Sequence, residues 1–168
     1  IKITWNDPSH SPDPTWNEWL GRVATSMTDV DGPLATQQGP DRLVVQWPQS
    51  AREEAEGPYF LGRSTKRPVD VWRWPSDPAS GESRVEEGAQ TGLGHFTAAA
   101  STQVTQASKY TDGQWELVLS RPLTPSDTSH AARLAAGRAI PIGFYAADGS
   151  NGEDEIRGAV STWYAVYL

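Results

Sequence analysis

The chain has 168 residues, with 14 Lys or Arg against 21 Asp or Glu and a formal net charge of -7. Cys is absent and Trp occurs eight times, so disulfides, zinc–thiolate centres and Cys-ligated clusters are excluded. The negative charge repels phosphate backbones and anionic lipid, which argues against nucleic acid or a membrane surface as partner, and no apolar run approaches the length of a membrane span.

The length predicts one domain over residues 1–168 with a core of its own. The chain starts at Ile1, and the expectation is that any leader was already removed or never present. Short alternating or β-branched runs predict strands at Ile1–Trp5, Leu43–Trp47, Val69–Trp74, Phe96–Thr105, Trp115–Ser120, Ile140–Tyr145 and Val160–Leu168. Within VDVWRW the alternation sends Val69, Val71 and Arg73 to one face and Asp70, Trp72 and Trp74 to the other. Asp112–Gly113, between Tyr110 and Trp115, predicts a tight hairpin turn.

Segments rich in Pro, Ser and charge read as loops: 6–14, 49–57, 75–88 and 124–129. Helical candidates are Trp16–Met27 and the Ala-rich His130–Arg138, the latter equally readable as an irregular edge strand. Many short strands with frequent turns predict an all-β, antiparallel β-sandwich with short helical or irregular insertions.

Catalytic patterns are weak. Ser129 adjoins His130, but no GxSxG elbow accompanies them, and TGLGHF at Thr91–Phe96 is no dinucleotide fingerprint. The loop DGSNGEDE at Asp148–Glu155 has oxygen ligands and glycines without the spacing of an EF-hand, so a solvated loop is the better account. His10, His95 and His130 stand apart in sequence; His95 opens a strand beside Gly92 and Gly94. Trp residues on strands belong to a core first, while Trp5, Trp16 and Trp19 are freer to serve as a surface for carbohydrate stacking.

One ordered set of motifs is more specific. LVVQWP at Leu43–Pro48 precedes PYFLGRSTKRPVDVWRW at Pro58–Trp74, then TGLGHFT and YTDGQWELVLSRPL, then IPIGFYAADGSNGEDEIRGAVSTWYAVYL at the C-terminus. Over about residues 43–168 this order resembles the haem-binding γ subunits of ethylbenzene dehydrogenase, dimethylsulfide dehydrogenase, chlorate reductase and nitrite oxidoreductase. The resemblance implies a sandwich carrying one haem b at its edge. Its implied partners are a molybdenum catalytic subunit, an iron–sulfur subunit and an external carrier such as a c-type cytochrome. It also implies an extracytoplasmic location, periplasmic or equivalent. A relay of this kind needs no general base or nucleophile of its own.

By the same resemblance, residues around the haem would be Tyr59, Phe60, Gly62, Trp72, Trp74, His95, Gly158 and Trp163. The family's axial Met follows the PYFL-like stretch and its axial Lys precedes SxWY; this chain has Gly62 and Gly158 at those places. Glycine offers no donor atom to iron. Three readings stay open: haem held by substitute ligands (His95, Lys66, Met27 or His130), a haem-free structural subunit of the same kind of complex, or a sugar- or small-ligand-binding sandwich.

Overall fold

The structure, a computed structural model, describes residues 1–8, 40–49, 67–76, 85–92, 95–153 and 157–168. Its strands are β1 (Lys2–Asn6), β2 (Arg42–Pro48), β3 (Val69–Pro75), β4 (Glu86–Gln90), β5 (Phe96–Ala98), β6 (Thr105–Thr111), β7 (Gln114–Ser120), β8 (Ala139–Ala147), β9 (Ala159–Val160) and β10 (Tyr164–Tyr167). They form two antiparallel sheets: a three-stranded one ordered β1-β7-β6, and a seven-stranded one ordered β10-β8-β2-β3-β4-β5, with β9 also on β8. The fold is the expected all-β sandwich.

Alternation explains which side of each strand is buried. In β7, Trp115, Leu117 and Leu119 point inward while Gln114, Glu116, Val118 and Ser120 face out. Full burial of a side chain such as Leu117 contributes about 1.5–3 kcal/mol. Against them the large sheet sets Leu43, Val45 and Trp47 of β2, Trp72 and Trp74 of β3, and Ile140 and Ile142 of β8. The Trp74 and Trp115 rings meet edge-on at 4.9 Å, and Trp5 from β1 joins both at 5.7 and 6.0 Å. The indole Nε1 of Trp115 donates to the buried carboxylate of Asp41 at 3.1 Å, so its polar tip is satisfied. The hairpin turn has φ of +50° at Asp112 and +78° at Gly113, the positive pair that a two-residue connection needs.

The predicted strand over Phe96–Thr105 is two strands in different sheets. β5 ends at Ala98 beside β4, and β6 begins at Thr105 beside β7. Between them the chain crosses the sandwich, with Gln103 N donating to Glu87 Oε2 at 2.7 Å. Strand β4 falls partly in a segment read as loop; its Glu87 and Gln90 are buried, contrary to their usual exposure. The predicted strand Val160–Leu168 divides at Ser161, whose hydroxyl accepts the Phe144 amide at 2.8 Å.

His130–Arg138 is neither helix nor strand. The reason is a buried network that takes its backbone groups. Arg121 Nη1 donates to Asp70 Oδ2 at 2.6 Å and to Glu87 Oε1 at 2.7 Å, while Nη2 donates to Ala132 O at 3.3 Å. The Ala132 amide donates in turn to Asp70 Oδ2 at 2.8 Å. Arg121 also lies over the Trp72 ring, 4.8 Å from its centroid. Both polar backbone groups of Ala132 are thus engaged by side chains of other segments, and a helical pattern has nothing to gain there. The other candidate helix, Trp16–Met27, lies outside the described residues.

Candidate functional site

The second face of the large sheet carries the site. Pairing places Val44 of β2 opposite Arg73 of β3, and Arg42 opposite Pro75. Side chains two apart share a face, so Arg42 and Val44 stand with Arg73, Val71 and Val69. From β8, Tyr145 pairs with Val44 and joins the same buried cluster, with Ala147 beside it. Phe96 of β5 and Trp163 pack against that cluster from its margins. A groove of about 360 Å³ runs here, lined among others by Arg42, Val44, Arg73, Gln90, Phe96 and Tyr145.

The groove combines an apolar wall with charge. The Arg73 guanidinium lies 4.6 Å from the centre of the Phe96 ring, a cation–π contact, and its Nε is 3.7 Å from Glu86 Oε2. Among the described residues, the lining has with Arg42 two guanidinium groups against the one carboxylate of Glu86. Such a lining suits a flat apolar ligand bearing carboxylates.

Gly158 sits against this region from the turn before β9. A Cβ built there would lie 2.7 Å from Tyr145 Oη and 2.8 Å from Tyr145 Cζ, and would run into the carbonyl oxygen of Ala146. Position 158 therefore has no room for any side chain in this backbone, and the Tyr145 phenol fills the space one would enter.

Other sequence candidates are distributed unevenly. His95 is exposed at the start of β5, next to Phe96; its amide donates to Gly92 O at 3.1 Å and its carbonyl accepts from Thr91 at 3.1 Å. His95 and Trp163 thus stand close in sequence or packing to the groove, as does Gly158. The ring of Trp72 belongs to the core between the sheets, 5.4 Å from that of Trp47. Trp74 borders the groove where β2 and β3 pair, but its ring is packed in that core too. His130, one of the substitute iron ligands weighed, is buried in the Arg121 network between the sheets and not at the groove. Tyr59, Phe60, Gly62, Lys66, Met27 and His10 lie outside the described residues.

The acidic loop is held by its own bonds. Asp148 caps the short 3-10 turn Gly149–Asn151, accepting from the Ser150 amide and hydroxyl at 2.9 and 2.7 Å. Glu153 accepts from the Asp148 amide at 2.8 Å and from Asn151 Nδ2 at 3.2 Å. Asp7, Asp41 and Asp148 cluster nearby, and Asp41 already accepts from Trp115 and from the Gly149 amide at 3.1 Å.

The residues that sequence reasoning missed are Arg42, Phe96 and Tyr145. The alternation in VDVWRW places Arg73 on the face of Val69 and Val71, but a single strand does not show its partner across the ladder.

Comparison with known proteins fits the motif reading. No protein-family model matches the chain. It is 35% identical over 140 residues to a protein of Haloferax mediterranei named as a respiratory nitrate reductase heme subunit, covering 83% of this chain and 46% of that one. It is 33% identical over 148 residues to the chlorate reductase subunit gamma of Ideonella dechloratans, covering 87% of this chain and 56% of that one. The resemblance to γ-type haem subunits holds. The chain spans about half the length of the curated relatives it matches.

Proposed function

We propose that this chain is the γ-type subunit of a molybdenum oxidoreductase complex and binds haem b in the groove over β2, β3 and β8. Similarity to two subunits named for nitrate and chlorate reductases supports the complex. The observation that carries the ligand is the groove, where an apolar wall of Val44, Phe96 and Tyr145 meets the guanidinium groups of Arg42 and Arg73.

The residues present fit haem in polarity and charge, with one restriction. Arg42 and Arg73 would hold its carboxylates, and Val44, Phe96 and Tyr145 would cover its apolar surface and exclude water. An iron ligand would not come from position 158, where a side chain meets Tyr145 and the Ala146 carbonyl. His95, at the groove's edge, and Lys66 are the substitute donors of this proposal. Haem, when bound, supplies a one-electron couple whose potential follows its ligands and burial. The chain's own part is to fix that group between the iron–sulfur subunit and an external carrier such as a c-type cytochrome. The extracytoplasmic location belongs to the same proposal.

A potentiometric titration of the purified complex, followed at the reduced α band, tests the relay. A one-electron wave that changes in the Arg42→Gln/Arg73→Gln variant supports it. The absence of any redox-active band in this chain would overturn it and leave a haem-free structural subunit, the reading that the closed position 158 favours.

A further inference from the structure

The buried network around Arg121 contains more negative charge than its guanidinium balances. Asp70 and Glu87 are both without side-chain exposure, and Asp127 stands at the rim with a quarter of its side chain exposed. One ligand atom from each of Asp70, Glu87 and His130 lies within 4.8 Å of the others, and all three residues are buried. Arg121 engages only Oδ2 of Asp70; Oδ1 is buried and has no hydrogen-bond partner. Glu87 Oε1 accepts one bond from Arg121 and keeps a second lone pair. His130 is 5% exposed, and neither of its ring nitrogens has a hydrogen-bond partner. Orphaned polar atoms in such number call for an explanation, because each one costs free energy when buried.

The two faces of the imidazole are not equivalent. Nε2 lies 3.4 Å from Glu87 Oε1, while Nδ1 lies on the other side, 3.6 Å from Asp127 Oδ2. A neutral imidazole that ligates a metal through one nitrogen and directs the other N–H to a carboxylate has this layout. Asp127 in turn is fixed by Ser129, whose amide and hydroxyl donate to Oδ1 at 2.9 and 2.7 Å.

We propose that Asp70, Glu87 and His130 form a structural site for a divalent transition-metal cation, with zinc as the fitting class, and that Asp127 orients His130 as a positioning residue. The site is separate from the groove and from any haem. Imidazole with carboxylates suits zinc, whose ligand distances of about 2.0–2.2 Å would draw the three side chains in around the ion. Charge agrees: three carboxylates set against one guanidinium and one divalent ion sum to zero. The ion would tie β3 and β4 of the large sheet to the connection after β7, where His130–Arg138 has no regular backbone ladder of its own.

The full chain, isolated in the assembly it forms, is assayed for zinc by mass spectrometry and melted in zinc chloride and in EDTA. About one zinc per chain, and a Tm at least ~5 °C higher in zinc than in EDTA, are the expected results. His130→Gln abolishes both effects while keeping the far-ultraviolet spectrum of a β protein. Should that variant fail to fold, Asp127→Asn decides: it keeps all three ligands and weakens zinc retention about 10–100-fold. A chain that retains no zinc and melts identically in zinc and EDTA overturns the site, as does a folded His130→Gln that retains zinc fully.

Discussion

The two faces of the large sheet are built from the same strands to opposite ends. On the inner face, Trp72 and Trp74 of β3 pack against β7 and β1, and the polar residue among them, Asp70, is paired with Arg121. On the outer face, Val69 and Val71 lead along β3 to Arg73, and a groove lies over that end of the strand. The inner face spends its aromatic rings and charges on holding two sheets together. The outer face leaves cations over an apolar wall. If the outer face holds haem as proposed, ligand recognition and the packing of the two sheets lie on opposite sides of β3, and substitutions should separate the two.

The largest separation comes from the inner face. Arg121→Ala leaves Asp70 and Glu87 buried without their cation and should destabilise the fold by about 3–5 kcal/mol in urea denaturation. Gly158→Ala, beside the groove, should cost about 1–3 kcal/mol, since the new methyl meets the Ala146 carbonyl and Tyr145. A cost near zero would show that the β8–β9 turn is not closed as described. Arg42→Gln with Arg73→Gln should cost only about 0.5–2 kcal/mol, chiefly the cation–π contact of the half-buried Arg73 with Phe96. Haem affinity in that double variant should fall at least about tenfold through loss of charge-assisted bonds. Equal haem retention would remove the groove from the account.

The smallest effect is in pH. Burial raises the Asp70 carboxyl above its ordinary value of 3.8, against the opposing pull of Arg121. A raised folded value means the contribution is fully present below 3.8 and is lost as pH climbs through the folded value. With the proposed zinc site kept empty by EDTA, the stability of the native chain relative to Asp70→Asn should therefore increase as the solution is acidified towards pH 4. Asp127 runs the other way: Ser129 holds it below 3.8, so its contribution exists above that value and is lost under stronger acid. Urea midpoints of both proteins across this range give the sign.

Much of the fold was legible because it follows from alternation and turn chemistry. VDVWRW and QWELVLS disclosed their inner faces, and Asp112–Gly113 disclosed the hairpin. What was not legible depends on distant partners. EEGAQ of β4 reads as polar loop until Arg121 arrives from another segment to pair with Glu87. TQASKYT of β6 lacks an apolar face because it lies at the edge of the small sheet, mostly exposed. HAARLAAGR reads as helix or irregular edge strand because the capture of the Ala132 backbone by Asp70 and Arg121 cannot be seen in the local sequence.

The site divides the same way. Gly158 and Trp163 were found by motif, and both border the outer-face cluster. The Arg42–Arg73 pair was not found, because it exists only through the β2–β3 register. Gly158 also gained a physical meaning that its motif position lacked: the Tyr145 phenol requires the absence of a side chain there.

Everything said of the groove converges on whether it holds haem. The direct measurement is the absorbance spectrum of the chain isolated in its complex, followed by a pyridine haemochrome assay. The account predicts a Soret band and a b-type haemochrome at about one haem per chain, reduced in the Arg42→Gln/Arg73→Gln variant. A folded complex with no Soret band attributable to this chain would contradict it.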